Sequence, residues 1–262
     1  MKLFSLILPI TLLSSFSAGA STDIKLGPKI TAGGFDCRFS LFPQPGDPLD
    51  AVLKKMDEVS ATFRSAQAQF EWDIYQKVID EIAEVDTGSI YYRRSGKEVE
   101  MMAEVKKSGT SASELKPDEK YVLFSGGKIR LYQKKIDQVT EFDLGKNRSD
   151  FEAYVVLGFG GSGQDLLKAF DVTYVGPETI DGIATAKLRL IPKSEKVKSM
   201  YKEIYLWIDL ERGISVQQQL ITPQGDYRLA KYSNIQVNGK KIPDDVFKLK
   251  TTSKTQTIVP KG

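Results

Sequence analysis

Residues 88–101 read GSIYYRRSGKEVEM. The segment starts as an apolar strand, meets Arg93 and Arg94, turns at Gly96, and then becomes apolar again at every second position. Alternation sets Ile90, Tyr92 and Arg94 on one face and Ser89, Tyr91 and Arg93 on the other. With Ile90 buried, Arg94 stands at the rim of the dry face. A desolvated guanidinium demands acceptors. Two readings are open for the arginine pair: a solvated hairpin end, or a polar latch at the edge of an apolar cavity.

On the N-terminal side, Ala66, Ala68, Phe70, Trp72, Ile74 and Val78 alternate with polar residues, and Gln76 is the one polar intrusion on that face. Period two with one wet face predicts a long antiparallel strand. Before it, Asp47-Pro48 reads as a helix start, with Asp47 as the cap. Leu49, Val52, Leu53, Met56, Val59 and Phe63 follow at spacings of three and four, a single apolar stripe. That helix must cover an apolar surface. Residues 21–46 are rich in Gly and Pro and read as an extended leader.

On the C-terminal side, Val99, Met101, Ala103 and Val105 alternate with Glu98, Glu100, Met102 and Glu104. Residues 107–118 are expected to be a loop, followed by strands at 121–124, 129–132 and 138–142. The pattern then breaks. Residues 149–170, SDFEAYVVLGFGGSGQDLLKAF, suggest two short helical pieces split by Gly158-Phe159-Gly160-Gly161-Ser162-Gly163, with Ser149 capping the first and Asp165 near the start of the second. Such glycine density marks a place built to bend. Strands resume at 172–175 and 183–190 around the hairpin signal Asp181-Gly182. A basic stretch at 193–200 precedes further strands at 204–209, 214–221, 227–235 and 247–250.

The expected fold is mainly β with some α. It is one strongly curved antiparallel sheet, an open half-barrel, covered on its concave side by the N-terminal helix and a short helical lid. Residues 47–262 form a single domain. The cavity candidates are Phe70, Trp72, Ile74, Ile90, Tyr92, Val99, Met101 and Leu131. On the lid, Val156, Phe159, Leu166, Leu167 and Phe170 face them. An ordinary filled core is the alternative.

Met1-Lys2, an apolar run over 3–16 and Ser17-Ala18-Gly19-Ala20 read as a cleaved secretory signal over residues 1–20, so export to the periplasm is expected. The chain has 37 basic and 34 acidic residues, a net charge of +3, too small and too scattered for a nucleic-acid surface. Its one cysteine, Cys37, cannot form an internal disulfide, and its surroundings do not match a lipid-attachment site. The chain has no histidine, so imidazole-based triads and metal sites are excluded. Residues 158–163 lack the Lys-Ser/Thr end of a phosphate loop and the spacing of a nucleophile elbow. A non-enzymatic protein without cofactor or metal is expected.

From Leu49 onward the chain resembles the LolA family of periplasmic outer-membrane lipoprotein carriers. An amphipathic helix runs into ATFRSAQAQF (61–70), and Gly88 to Arg94 follows. Then come 121–124 and Gly127-Lys128-Ile129-Arg130-Leu131-Tyr132, and last Asn234-Ile235 leading to Ile242-Pro243-Asp244-Asp245-Val246-Phe247. The family usually has Arg-Pro where this chain has Arg94-Ser95. The resemblance implies a half-barrel whose apolar hollow carries lipoprotein acyl chains from inner to outer membrane. It also implies that Arg94 is the residue bonding to the lid in the closed state. The implied partners are an inner-membrane lipoprotein-releasing ABC transporter and an outer-membrane lipoprotein receptor, with the carrier itself a monomer. A lipid- or lipoprotein-sensing domain of the same fold, acting in envelope signalling or assembly, is the other reading.

Overall fold

The computed structural model describes residues 46–96, 98–145 and 157–260. The expected signal segment, the leader except Gly46, Cys37 and most of the first lid piece, with Ser149 and Val156, lie outside the described residues. Helix α1 spans Pro48–Thr62, and the Asp47 carboxylate accepts from the Leu49 amide at 2.9 Å. Among the described residues two short helices follow, α2 at Gly163–Ala169 and α3 at Glu195–Lys198. No helix among the described residues is long and apolar enough to cross a membrane.

The first six strands are β1 (Ser65–Gln76), β2 (Glu81–Ser95), β3 (Glu98–Gly109), β4 (Lys116–Ser125), β5 (Lys128–Gln133) and β6 (Gln138–Asp143). The next five are β7 (Phe170–Ile180), β8 (Ile183–Pro192), β9 (Glu203–Asp209), β10 (Ser215–Ile221) and β11 (Tyr227–Val237), and β12 (Gln256–Ile258) is last. All twelve form one sheet in the order β12-β6-β5-β4-β3-β2-β1-β11-β10-β9-β8-β7. It is built from two meanders. One runs from β1 outward to β6; the other starts at the far edge with β7 and returns to β11, which pairs with β1. The connection from β6 to β7 must therefore traverse the sheet. Bulges at Gln67/Gln69, Thr87/Gly88, Val105/Lys107, Tyr174/Gly176 and Ser215/Gln217 bend the strands. The edges β12 and β7 do not pair, so the sheet stays open.

This is the expected open curved sheet with helices, with four differences in detail. The strand expected to run to residue 78 ends at Gln76, and Val78 lies in an exposed turn. β2 starts at Glu81, well before Gly88, because Glu84 and Asp86 on its inner face hide the alternation. Most of the expected 107–118 loop is strand, since β3 continues to Gly109 and β4 begins at Lys116. Residues 247–250 are not a strand: Asp244–Phe247 is a 3-10 turn, and the edge strand is β12, parallel to β6 where an all-antiparallel sheet was expected.

Three apolar clusters hold the molecule together. One lies on the concave face of β1–β5 and β11 and includes Phe63, Phe70, Trp72, Ile90, Tyr92, Phe124, Leu131 and Tyr232. A second joins α1 (Val52, Leu53, Met56) and α2 (Leu166) to β8, β9 and β10. The third is on the convex face, where Ile242 and Phe247 cover Met102 and Leu123. Met102, read as a wet-face residue, is dry because the C-terminal segment lies over it.

Candidate functional site

The register fixes what lines the hollow. Phe70 and Trp72 of β1 sit opposite Tyr232 and Ala230 of β11, and Tyr92 of β2 sits opposite Ala66 and Met101. Phe70 and Trp72 stack with ring centroids 4.0 Å apart. Of the residues read as cavity lining, Phe70, Trp72, Ile90, Tyr92 and Leu131 share one buried cluster, with Met101 packed against it. Ile74 and Val99 are buried but lie outside that cluster.

The hollow is occupied by the protein's own Phe159. This residue is fully buried, stacks on Tyr92 at 4.9 Å and meets Tyr232 edge-on at 4.8 Å. It projects from the crossover between β6 and β7 on a short bent segment, Leu157-Gly158-Phe159-Gly160. Both flanking glycines have left-handed backbones, with φ +77° at Gly158 and +78° at Gly160. A Cβ on Gly158 would fall 2.3 Å from that of Ser215, and one on Gly160 would fall 2.4 Å from the Phe63 ring. Only glycine supplies that conformation and that approach. The glycines read from sequence as a bending point are thus the joints on either side of the plugging ring.

Three carbonyls tie the segment down. Gly158 accepts from the Ser215 amide at 2.8 Å, and Leu157 accepts from the buried Gln218 side chain. Gly160 accepts from Ser60 Oγ at 2.9 Å and from Arg94 Nη2 at 2.8 Å. Arg94 Nη1 also reaches the Ser60 carbonyl at 3.4 Å, and its guanidinium lies 5.5 Å from the Phe63 ring centre. Behind the segment, about 20 Å³ remains between Met56, Leu157, Leu166 and Phe170, room for a single water. Gln218 in turn accepts from the Tyr232 hydroxyl at 3.2 Å. Burial pushes the Tyr232 phenol up to about 12, and burial also raises the Tyr92 phenol well above its ordinary value.

The residues read as one lid divide. Phe159 enters the hollow, whereas Leu166, Leu167 and Phe170 pack with α1 against the β8–β10 half. Arg93 and Arg94 divide too. Arg93, on the convex face, donates to Glu100 through Nε at 3.0 Å and pairs with Asp244, and its guanidinium lies 4.4 Å from the Phe247 ring centre. Tyr232, Gln218 and Ser60 were not singled out from sequence. The signal was present for the first two, because Tyr232 and Gln218 share the dry parity of their strands.

No family model matches the sequence, and no curated protein matches it. Solved structures do. A LolA superfamily protein from Nitrosomonas europaea matches at 14% identity over 77% of this chain and 97% of that one, with a TM-score of 0.37. An uncharacterized conserved protein from Thermus thermophilus matches at 10% identity over 82% of this chain and 100% of that one, with a TM-score of 0.49. MucB matches at 14% identity over 78% of this chain, with a TM-score of 0.46; the Pseudomonas aeruginosa MucA/MucB complex also matches. This chain spans only 64% of MucB. Every one of these TM-scores is below 0.5 and every identity is 15% or less, so no function passes from these proteins to this chain.

Proposed function

We propose that the protein is a non-enzymatic carrier that shields the acyl chains of a lipidated protein in its concave hollow and moves them between membranes. The observation that carries this reading is Phe159: an aromatic ring on two glycine joints, seated in an apolar trough and held at its rim by Arg94 and Ser60. A ring placed this way can be exchanged for guest hydrocarbon at little net cost in buried apolar surface. Burying acyl chain is worth about 0.8 kcal/mol per methylene, so capture is easy and release is the difficulty. A plug that returns when the guest leaves addresses release. In this reading Phe70, Trp72, Ile90, Tyr92, Met101 and Leu131 contact the chains, Ile74 and Val99 flank them, and Arg94 is the latch.

The proposal extends to residues 1–20 as a cleaved export signal and to the periplasm as the place of action. An inner-membrane releasing transporter and an outer-membrane receptor are the partners, and residues 47–262 work as one unit. The test is extraction. Purified protein mixed with inner-membrane vesicles is expected to carry an acylated lipoprotein into the soluble fraction and deliver it to acceptor vesicles. Uptake without delivery would replace the carrier by a sensor, and absence of uptake would end both.

A further inference from the structure

The concave face carries a cation outside every ion pair of the described residues. Arg228 of β11 lies opposite Ile74 of β1 and Leu220 of β10, so it shares the inward parity of Ala230 and Tyr232. Its Nε is buried and has no hydrogen-bond partner. What it does contact is an aromatic face: its guanidinium sits 4.9 Å from the Trp72 ring centre. Trp72 is 6% exposed, and its indole Nε1 also lacks an acceptor. That indole adjoins the Tyr232 hydroxyl and, with Arg228, works against the rise that burial causes in its pKa, yet it lies outside hydrogen-bonding geometry. Two orphaned donors therefore adjoin one another on the wall of an apolar trough.

Each is costly as it stands. An arginine cannot shed its proton, and a buried donor left unpaired loses the hydrogen bond that water would give it. A cation over an indole recovers part of that loss but satisfies no N–H. The neighbouring acid does not serve. Asp86, opposite Trp72 in register, is engaged through Oδ1 by Ser108 and by Lys120 at 3.3 Å, and its Oδ2 bonds to neither Arg228 nor Trp72. Arg228 as a whole is half-buried, and its charge is felt by Tyr92, Tyr201 and Tyr232.

We propose that Arg228 and Trp72 form a head-group site for an anionic oxygen, the carboxylate or phosphate of an acyl amphiphile whose chain lies along the trough. The inference rests on the acyl-binding reading and narrows its ligand class. Anionic amphiphiles are preferred over neutral ones of the same chain length. Arg228 supplies the charge, and the indole N–H supplies a second donor.

Calorimetry with laurate, dodecanol and acetate tests it on the intact protein. Laurate is expected to bind at least about tenfold more tightly than dodecanol, the effect of one hydrogen bond to a charged group. Arg228→Met is expected to bring that ratio close to one, and Trp72→Phe to reduce it. The second variant keeps the test alive should the first fail to fold. Equal affinity for laurate and dodecanol would overturn the head-group site and leave acyl binding standing. Acetate binding as tightly as laurate would make this a free-anion site and overturn the proposal. Binding of neither laurate nor dodecanol would overturn both readings.

Discussion

Arg93 and Arg94 are neighbours in sequence that restrain different parts of the chain, because a strand turns successive side chains to opposite faces. Arg94 restrains the plug and Arg93 restrains the C-terminal segment. Their loss should therefore be felt in different places. Arg94→Leu removes the charged donor from the Gly160 carbonyl and leaves Ser60. The expected cost is about 1–2 kcal/mol, since the pair is only partly buried. Amide exchange should quicken at Ser215, whose N–H bonds to Gly158, and delivery of cargo should slow as the plug competes less well. Arg93→Leu should instead quicken exchange at Val246 and Lys248, in the turn that covers Met102 and Leu123, and leave Ser215 protected. Hydrogen exchange with mass spectrometry reads both. The same pattern of exchange in the two variants would contradict the division. The inward placement of Arg94 was legible from alternation alone. Its acceptor was not, because Gly160 is 66 residues away.

The plug segment is the element on which the proposed exchange turns, and its two features can be separated. Phe159→Ala deletes the buried ring. The expected cost to the empty protein is about 3–5 kcal/mol, measured by urea unfolding. The same variant should bind acyl chains more tightly, because nothing must be displaced. A loss of both stability and binding would mean that Phe159 is plain core. Gly160→Ala keeps the ring but adds a methyl against Phe63 and strains a left-handed backbone, a penalty of about 1–2 kcal/mol before the clash is counted. It should displace Phe159 from Tyr92, visible as changed aromatic circular dichroism, and tighten acyl binding in the same direction. Sequence showed the glycines as a bending point because of their density. It did not show that Leu166 and Phe170 leave the hollow for α1, since an apolar helix face is equally served by either cluster.

For the molecule as a whole, strand existence was legible and strand order was not. Alternation located β1, β3 and β5, but the crossover that places β7 at the far edge and β11 beside β1 leaves no local trace. Legibility failed most at the trough end beyond Trp72, where the inner face turns polar. Glu84, Asp86 and Lys120 stand on dry parity there, and Lys120 pairs with Glu84 at 2.6 Å, Asp86 at 3.3 Å and Asp118 at 3.2 Å. Asp86 is fully buried, and its second carboxylate oxygen has no partner. Burial pushes its pKa up and Glu84 adds to this, against the pull of Ser108 and Lys120; the net value is raised. The sign follows from linkage. A raised folded pKa means that the folded state holds the proton more tightly than the unfolded chain, so this group disfavours folding once it ionises. Stability should fall as pH rises from about 3.9, the unfolded value, through the raised folded one. Asp86→Asn cannot ionise, and Lys120 keeps Glu84 and Asp118. The stability of the variant relative to the parent should therefore increase between about pH 4 and about pH 8, in urea unfolding compared at both ends. A difference that stays constant with pH would mean that Lys120 compensates Asp86 in full and that the polar end of the trough carries no stored charge penalty.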